Sequence, residues 1–349
     1  MDWYHNTSVI RYHESRPRDM TLSTIPTRLQ RLRKSALFFL RFHPVLQRSV
    51  RAVPPSFITC SGKHDGAGAQ ALAILSTLLF SHDVGLQYVH TPFTSIQHNP
   101  DDDPAWEAKW EQFFNLGKDE LSLDHAASSG LEQVRLRNLT DLPFTAPAPN
   151  TLFVLKHCHT YANRFPDRYL GIIDTITSKY YSSSKAGLRS YYDRSRLNVA
   201  VHVRRGDVDS HGPNASRYTR NDFICALLRD VVSASSSSGL PVSACLYSEG
   251  SPHEFGPLQD MDIDFHLNEC PFATFHNLVT ADVLLMAKST FSYLAGLYSR
   301  GVKIYESFRD APYDHRPLRD WLVAQPGKRF NLARLRRALG HLADRRRSP

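Results

Sequence analysis

Short apolar runs alternate with longer amphipathic or apolar segments along most of this 349-residue chain. The first run, FITC at 57–60, leads into a glycine-containing loop at 61–70 and then an apolar segment at 71–80. That order predicts strand, loop and helix, the opening unit of a doubly wound domain. Residues 86–90 and 152–156 read as further strands. Trp106, Trp110, Phe113 and Phe114 recur at helical spacing, which predicts a helix with an aromatic core face. Residues 168–192 read as a tyrosine-rich helical linker. A second series begins with a strand at 197–203. A helix at 221–233, a serine-rich surface loop at 235–239 and strands at 242–247 and 261–267 follow it. Helices at 275–286 and 289–299 and a short strand at 302–305 complete it. Strands alternating with helices twice over predict an α/β fold of two Rossmann-like halves facing each other across a cleft.

Charge sets the outer boundaries. Residues 1–53 hold ten Arg/Lys against three Asp/Glu, and residues 328–349 hold eight against one. Each end therefore carries +7, and the remainder of the net +8 leaves −6 on the middle. The expected organisation is a basic extension at 1–55 with one weakly amphipathic stretch at 29–47, a first domain at 56–193, a second at 194–327, and a basic tail at 328–349. An acidic body with basic ends does not suit a nucleic-acid groove. The ends carry the charge to touch an acidic membrane surface, although flexible basic tails are usually just solvated.

The five cysteines are widely spaced with no CxxC pair, which suggests neither a zinc site nor a disulfide framework. The apolar stretch at 36–40 is far shorter than the ~20 residues of a membrane-spanning helix. A complete N-terminus would place the protein in the cytoplasm, and a missing anchor would place it in the Golgi.

Three loops carry the candidate chemistry. In VAVHVRRGD at 199–207 an apolar strand ends in His202, Arg204, Arg205, Gly206 and Asp207. Paired guanidinium groups at the carboxyl end of a buried strand suit phosphate, whose oxygens match their forked donors. Gly206 lets the backbone turn there. Lys288, Ser289, Thr290 and Ser292 stand at a helix start, where hydroxyls and free N–H groups favour an anion. Asp282, ahead of them, is a candidate acceptor for a base or sugar. The third loop holds Gly66, Gly68 and Gln70, with His64 and Asp65 beside them as candidate general bases.

Together these loops resemble the GDP-fucose-dependent fucosyltransferase superfamily. The likeness is greatest to the α1,2-fucosyltransferases, with the α1,6- and protein O-fucosyltransferases more distant. HVRRGD at 202–207 matches the family motif residue for residue, GxGxQ at 66–70 resembles its first glycine loop, and STFSY at 289–293 resembles its late SSFSY/W motif. The resemblance implies a GT-B fold, with GDP-fucose held by the second half, the acceptor on the side of the first, and no metal. Arg204 and Arg205 would contact the diphosphate, and Ser289, Thr290 and Ser292 would help to hold it. His202 would line the donor site with Gly206 and the glycine loop of Gly66, Gly68 and Gln70, and Asp282 would read guanine or ribose. The expected reaction is inverting transfer of L-fucose to a glycan hydroxyl, with Asp65, His64 or Asp209 as the base, or with no essential base. Another GDP-sugar, or a catalytically silent GDP-sugar- or glycan-binding protein, are the alternatives.

Overall fold

The computed structural model describes residues 56–61, 63–142, 150–236, 239–307, 315–326 and 330–347. The basic extension at 1–55, including the stretch at 29–47, lies outside the described residues. The first unit opens with β1 (Phe57–Cys60) and α1 (Ala67–Val84). The helix starts inside the glycine loop, four residues before the apolar run that predicted it. Most of its length is buried, and its hydroxyls are satisfied within the helix: Ser76 Oγ donates to the Leu72 carbonyl at 2.7 Å and Thr77 Oγ1 to that of Ala73 at 2.9 Å.

Next come β2 (Gln87–His90), α2 (Trp106–Phe114), β3 (Leu121–Ser122), α3 (Leu123–Ser128), β4 (Glu132–Asn138) and β5 (Thr151–His157). The five strands form a parallel sheet ordered β3-β2-β1-β5-β4. The linker expected at 168–192 contains the end of a 3-10 turn, Pro166–Gly171, and a single helix, Ile173–Tyr181, preceded by the short helix Thr160–Arg164.

The second sheet is also parallel, ordered β11-β10-β9-β6-β7-β8. Its strands are β6 (Leu197–His202), β7 (Val242–Ser248), β8 (Asp264–Leu267), β9 (Val283–Met286), β10 (Val302–Glu306) and β11 (Leu322–Ala324). The first five positions of β6 are buried, as befits a strand covered on both faces. One expectation is corrected here. The helix read at 275–286 stops at Thr280, and VLLM at 283–286 is β9, an inner strand beside β6. Ala281 is extended and separates the two, and a four-residue buried strand has no periodicity of its own to announce it. The strand expected at 261–267 is shorter and begins at Asp264.

Number the two central helices α4 (Thr160–Arg164) and α5 (Ile173–Tyr181), and those of the second unit α6 (Asn221–Ser235), α7 (Pro271–Thr280), α8 (Thr290–Tyr298) and α9 (Leu332–Arg347). Helix α9 lies within the stretch expected to be a tail. Leu335, Leu339 and Leu342 recur at helical spacing and enter the core of the second sheet with Phe330, and the helix packs on α6. Its arginines dominated the composition and hid an apolar stripe.

Both sheets belong to one compact unit. The aromatic face of α2 is core as expected, and it is core shared between the units. Trp110 lies 4.3 Å from Phe272 and Phe114 lies 5.1 Å from Phe275, ring centre to ring centre. Helix α1 packs on α8 nearby. No described helix is long and apolar enough to cross a membrane.

Candidate functional site

A cavity of about 940 Å³ opens at the carboxyl ends of the strands, lined by segments of both units. Two helix amino termini reach it. Helix α1 is preceded by Gly66, whose N-cap position carries no side-chain cap, and no acidic residue stands in its first turn. Helix α8 is capped by Ser289, whose Oγ accepts from the Phe291 N–H at 3.2 Å. Both ends present backbone N–H groups and the positive pole of a helix dipole to the same space. Gly68 makes the approach possible, because a Cβ there would lie 2.9 Å from Phe291 Cα.

Arg204 lines this cavity after β6. Asp207 accepts from its Nε at 3.0 Å and from its Nη2 at 2.6 Å. That uses two of five guanidinium N–H groups and leaves three for a ligand. The same bond holds the Asp207 carboxyl below the usual carboxylate range. Gly206 turns the loop at φ +73°, and a Cβ there would collide with the Glu249 carboxylate. His202 also lines the cavity, and its buried Nδ1 has no partner among the described residues. Burial, and then the charge of Arg204, push its pKa down to about 3, so it is a neutral imidazole. Lys288 borders the site with its charge already met by the buried Glu306 at 2.9 Å, while its Nζ donates to the Tyr218 carbonyl at 3.0 Å.

The expected arginine pair divides. The backbone turn of Arg205 belongs to the cavity wall, but its guanidinium is buried and engaged elsewhere. It donates to the carbonyls of Arg204 and Thr219 and to Asn221 Oδ1, and it stacks 4.2 Å from the Tyr218 ring. Arg205 braces the loop, and Arg204 is the arginine whose remaining donors are available to a ligand.

Three of the expected donor-site residues lie outside the cavity lining. Asp282 stands at the amino end of β9, where its Oδ2 accepts from the Asn198 N–H at 2.8 Å and from the Asn198 side-chain amide at 3.2 Å. Ser292 is fully buried, and its Oγ accepts from the Ala287 N–H at 3.1 Å to close the turn into α8. Gln70 ties two loops together, donating to the Asp65 and Thr94 carbonyls at 3.0 and 2.8 Å. Ser289, Thr290, Gly66 and Gly68 do line the cavity.

Among the candidate bases, Asp65 borders the cavity and its buried Oδ1 has no partner among the described residues. His64 is exposed and outside the lining, and Asp209 accepts from the N–H of His211 and of Gly212 in an exposed turn. Among the described residues, no group of three His, Cys, Asp or Glu is placed to hold a metal ion.

Glu249, Asn268 and Glu269 also line the cavity and were not singled out from sequence. They follow β7 and β8 as Arg204 follows β6, so the same strand-end rule would have found them. Trp106 and Trp110 line it too, although their spacing suggested only core.

No family model matches the chain, and no curated protein matches it. Among solved structures it is similar to POFUT1 in complex with GDP, at 12% identity and a TM-score of 0.35, over 72% of this chain and 97% of that one. NodZ α-1,6-fucosyltransferase soaked with GDP-fucose shows 13% identity and a TM-score of 0.34, over 70% of this chain and 93% of that one. Fucosyltransferase NodZ from Bradyrhizobium shows 13% identity and a TM-score of 0.31, over 71% and 94%. Likeness at this level assigns no function, which has to rest on the chain's own residues.

Proposed function

We propose that this chain is an inverting glycosyltransferase of the GT-B type that moves L-fucose from GDP-fucose to a hydroxyl of a glycan acceptor. The motifs favour the α1,2 branch of the superfamily. The observation that carries the reading is the meeting of Arg204, from the HVRRGD turn, with the amino termini of α1 and α8 on one cavity. As the bond from the sugar to GDP breaks, charge grows on the β-phosphate. Fixed guanidinium and backbone N–H donors stabilise that charge without having to reorganise. Such donors can take the place of a divalent cation, so we expect transfer to persist in EDTA.

Asp65 is the candidate base that borders the cavity. A carboxylate there can accept the acceptor hydroxyl's proton as its oxygen attacks the anomeric carbon from the face opposite GDP. The second unit would hold the nucleotide, with Ser289 and Thr290 at the diphosphate, and the first unit would present the acceptor.

Calorimetric titration of GDP, GDP-fucose and GDP-mannose in EDTA tests the reading. GDP and GDP-fucose should bind, and GDP-mannose should bind more weakly than GDP-fucose. Folded protein that binds no GDP species would overturn it.

A further inference from the structure

The loop between β2 and α2 contributes Ile96, Gln97, His98, Asn99 and Pro100 to the cavity lining. It is held from several sides. The Phe93 N–H donates to Glu111 Oε2 at 3.2 Å and the Ile96 N–H to Glu107 Oε1 at 3.0 Å, both carboxylates coming from α2. Gln70 donates to the Thr94 carbonyl at 2.8 Å, and beyond the loop tip the Asn99 side chain bonds to the carbonyl and the N–H of Asp103. Inside this frame His98 stands at φ +59°, in the left-handed region. A residue other than glycine keeps that conformation where its surroundings impose it, and such residues gather at functional sites. The His98 side chain takes no part in the frame: it is exposed, and no described residue hydrogen-bonds its ring.

Two neighbours locate the ring. A Cβ built on Gly66 would meet only His98 Cδ2, at 3.8 Å, so the imidazole stands beside the N-cap of α1. Asp207, whose carboxyl the Arg204 bond holds low, also feels His98. Both neighbours border the proposed diphosphate centre. Gly66 opens the helix whose N–H groups face it, and Asp207 fixes the Arg204 that serves it. An imidazole carries at least one N–H in either protonation state, so a donor is always present there. With the nucleoside on the second unit, a group from the first unit meets the end of the nucleotide remote from the base. That end is the β-phosphate, where charge grows as the sugar leaves and an added donor stabilises it. Resting on the GDP-sugar reading above, we infer that His98 is a donor-site residue supplied by the first unit, its imidazole N–H donating to an oxygen of the β-phosphate.

The β-phosphate is what GDP has and GMP lacks, so calorimetric titration of both ligands in EDTA isolates the contact. His98→Gly in the full chain removes the ring and suits the left-handed backbone. The variant should bind GDP roughly tenfold more weakly than wild type, the loss of one charge-assisted hydrogen bond, with GMP affinity kept within about twofold. A merely structural role for His98 would weaken both ligands alike. A second readout comes from wild-type protein labelled at its 17 histidines. The ring signal missing from His98→Gly, or from His98→Asn where the glycine variant folds poorly, should move far more with GDP than with GMP. Equal loss of GDP and GMP affinity, unchanged affinity for both, or a ring signal that responds only to an acceptor glycan would overturn the assignment and leave the GDP-sugar reading standing. If the wild-type chain binds no GDP species at all, that reading fails and this inference falls with it.

Discussion

Asp282 precedes β9 at the amino end of the second sheet, and Arg204 follows β6 at its carboxyl end. At the amino end, Asp282 and Asn198 bond to each other and to the neighbouring backbone. Asp282 accepts twice from Asn198, and the Asn198 amide also donates to the Asp193 carbonyl at 2.9 Å. At the carboxyl end three Arg204 N–H groups, the buried Arg205 Nε and His202 Nδ1 have no partner among the described residues, and neither does the buried Asp65 Oδ1 across the cavity. Both residues are charged, but of the two only Arg204 is shown lining the cavity with N–H groups that no described residue takes up. The two residues share a charge but not a setting, and the setting is what distinguishes the proposed role of Arg204 from the structural one of Asp282.

The largest expected effect comes from removing the guanidinium that faces the cavity. Arg204→Ala should lower kcat/KM for transfer from GDP-fucose by roughly two to three orders of magnitude, with stability little changed. Arg204→Lys should fail nearly as badly, because a point charge cannot keep both the Asp207 bond and the ligand. Steady-state kinetics beside a denaturation curve would check this, and activity within a few-fold of wild type would remove Arg204 from the donor site. Its neighbour should behave the other way. Arg205→Ala should cost about 3 kcal/mol in stability, because it strips buried carbonyls of their donor. Urea denaturation measures that cost. A variant of wild-type stability that no longer binds GDP would show that the two arginines share one task after all.

Asp282→Ala extends the comparison to the amino end. It should destabilise by about 2 kcal/mol through the two lost charge-assisted bonds to Asn198. GDP affinity, read by calorimetry on the folded variant, should stay at the wild-type value. Weakened GDP binding in a protein of unaltered stability would return Asp282 to the nucleotide.

The alternation of apolar runs made most of both sheets legible, and the strand-end rule located the arginine loop before any geometry was known. What stayed hidden depended on partners distant in sequence. Arg205 resembles Arg204 in every local respect until Thr219 and Asn221 fold against it. Gln70 and Ser292 sit in a motif that reads as ligand-binding, yet their hydrogen bonds close loops. Strand β9 was merged into the preceding helix because four buried apolar residues show no period. Helix α9 was obscured by its own arginines. The tryptophans of α2 were rightly placed in the core, but spacing could not reveal that this core forms one wall of a cavity.

The smallest effect expected is one of pH, and it probes the same unpaired groups from the side of stability. Burial pushes the pKa of His202 down to about 3 and that of His315 to about 4, and holds His159 well below its ordinary value. In the unfolded chain each returns to about 6.5. Between those limits the unfolded state binds more protons, so stability is complete above pH 6.5 and falls as the pH is lowered toward the folded pKa values. At pH 5.5 His202 and His315 should each subtract about 1 kcal/mol, and His159 acts in the same direction. A series of Tm measurements from pH 7.5 to 5.5 should therefore slope downward, and the slope should be shallower in His202→Asn, which has no proton to gain there. An unchanged slope would mean that the His202 ring takes its proton freely in the folded protein. The cavity wall beside Arg204 would then be wetter, and its unpaired donors less poised for an anion, than the contrast between the two ends of the sheet requires.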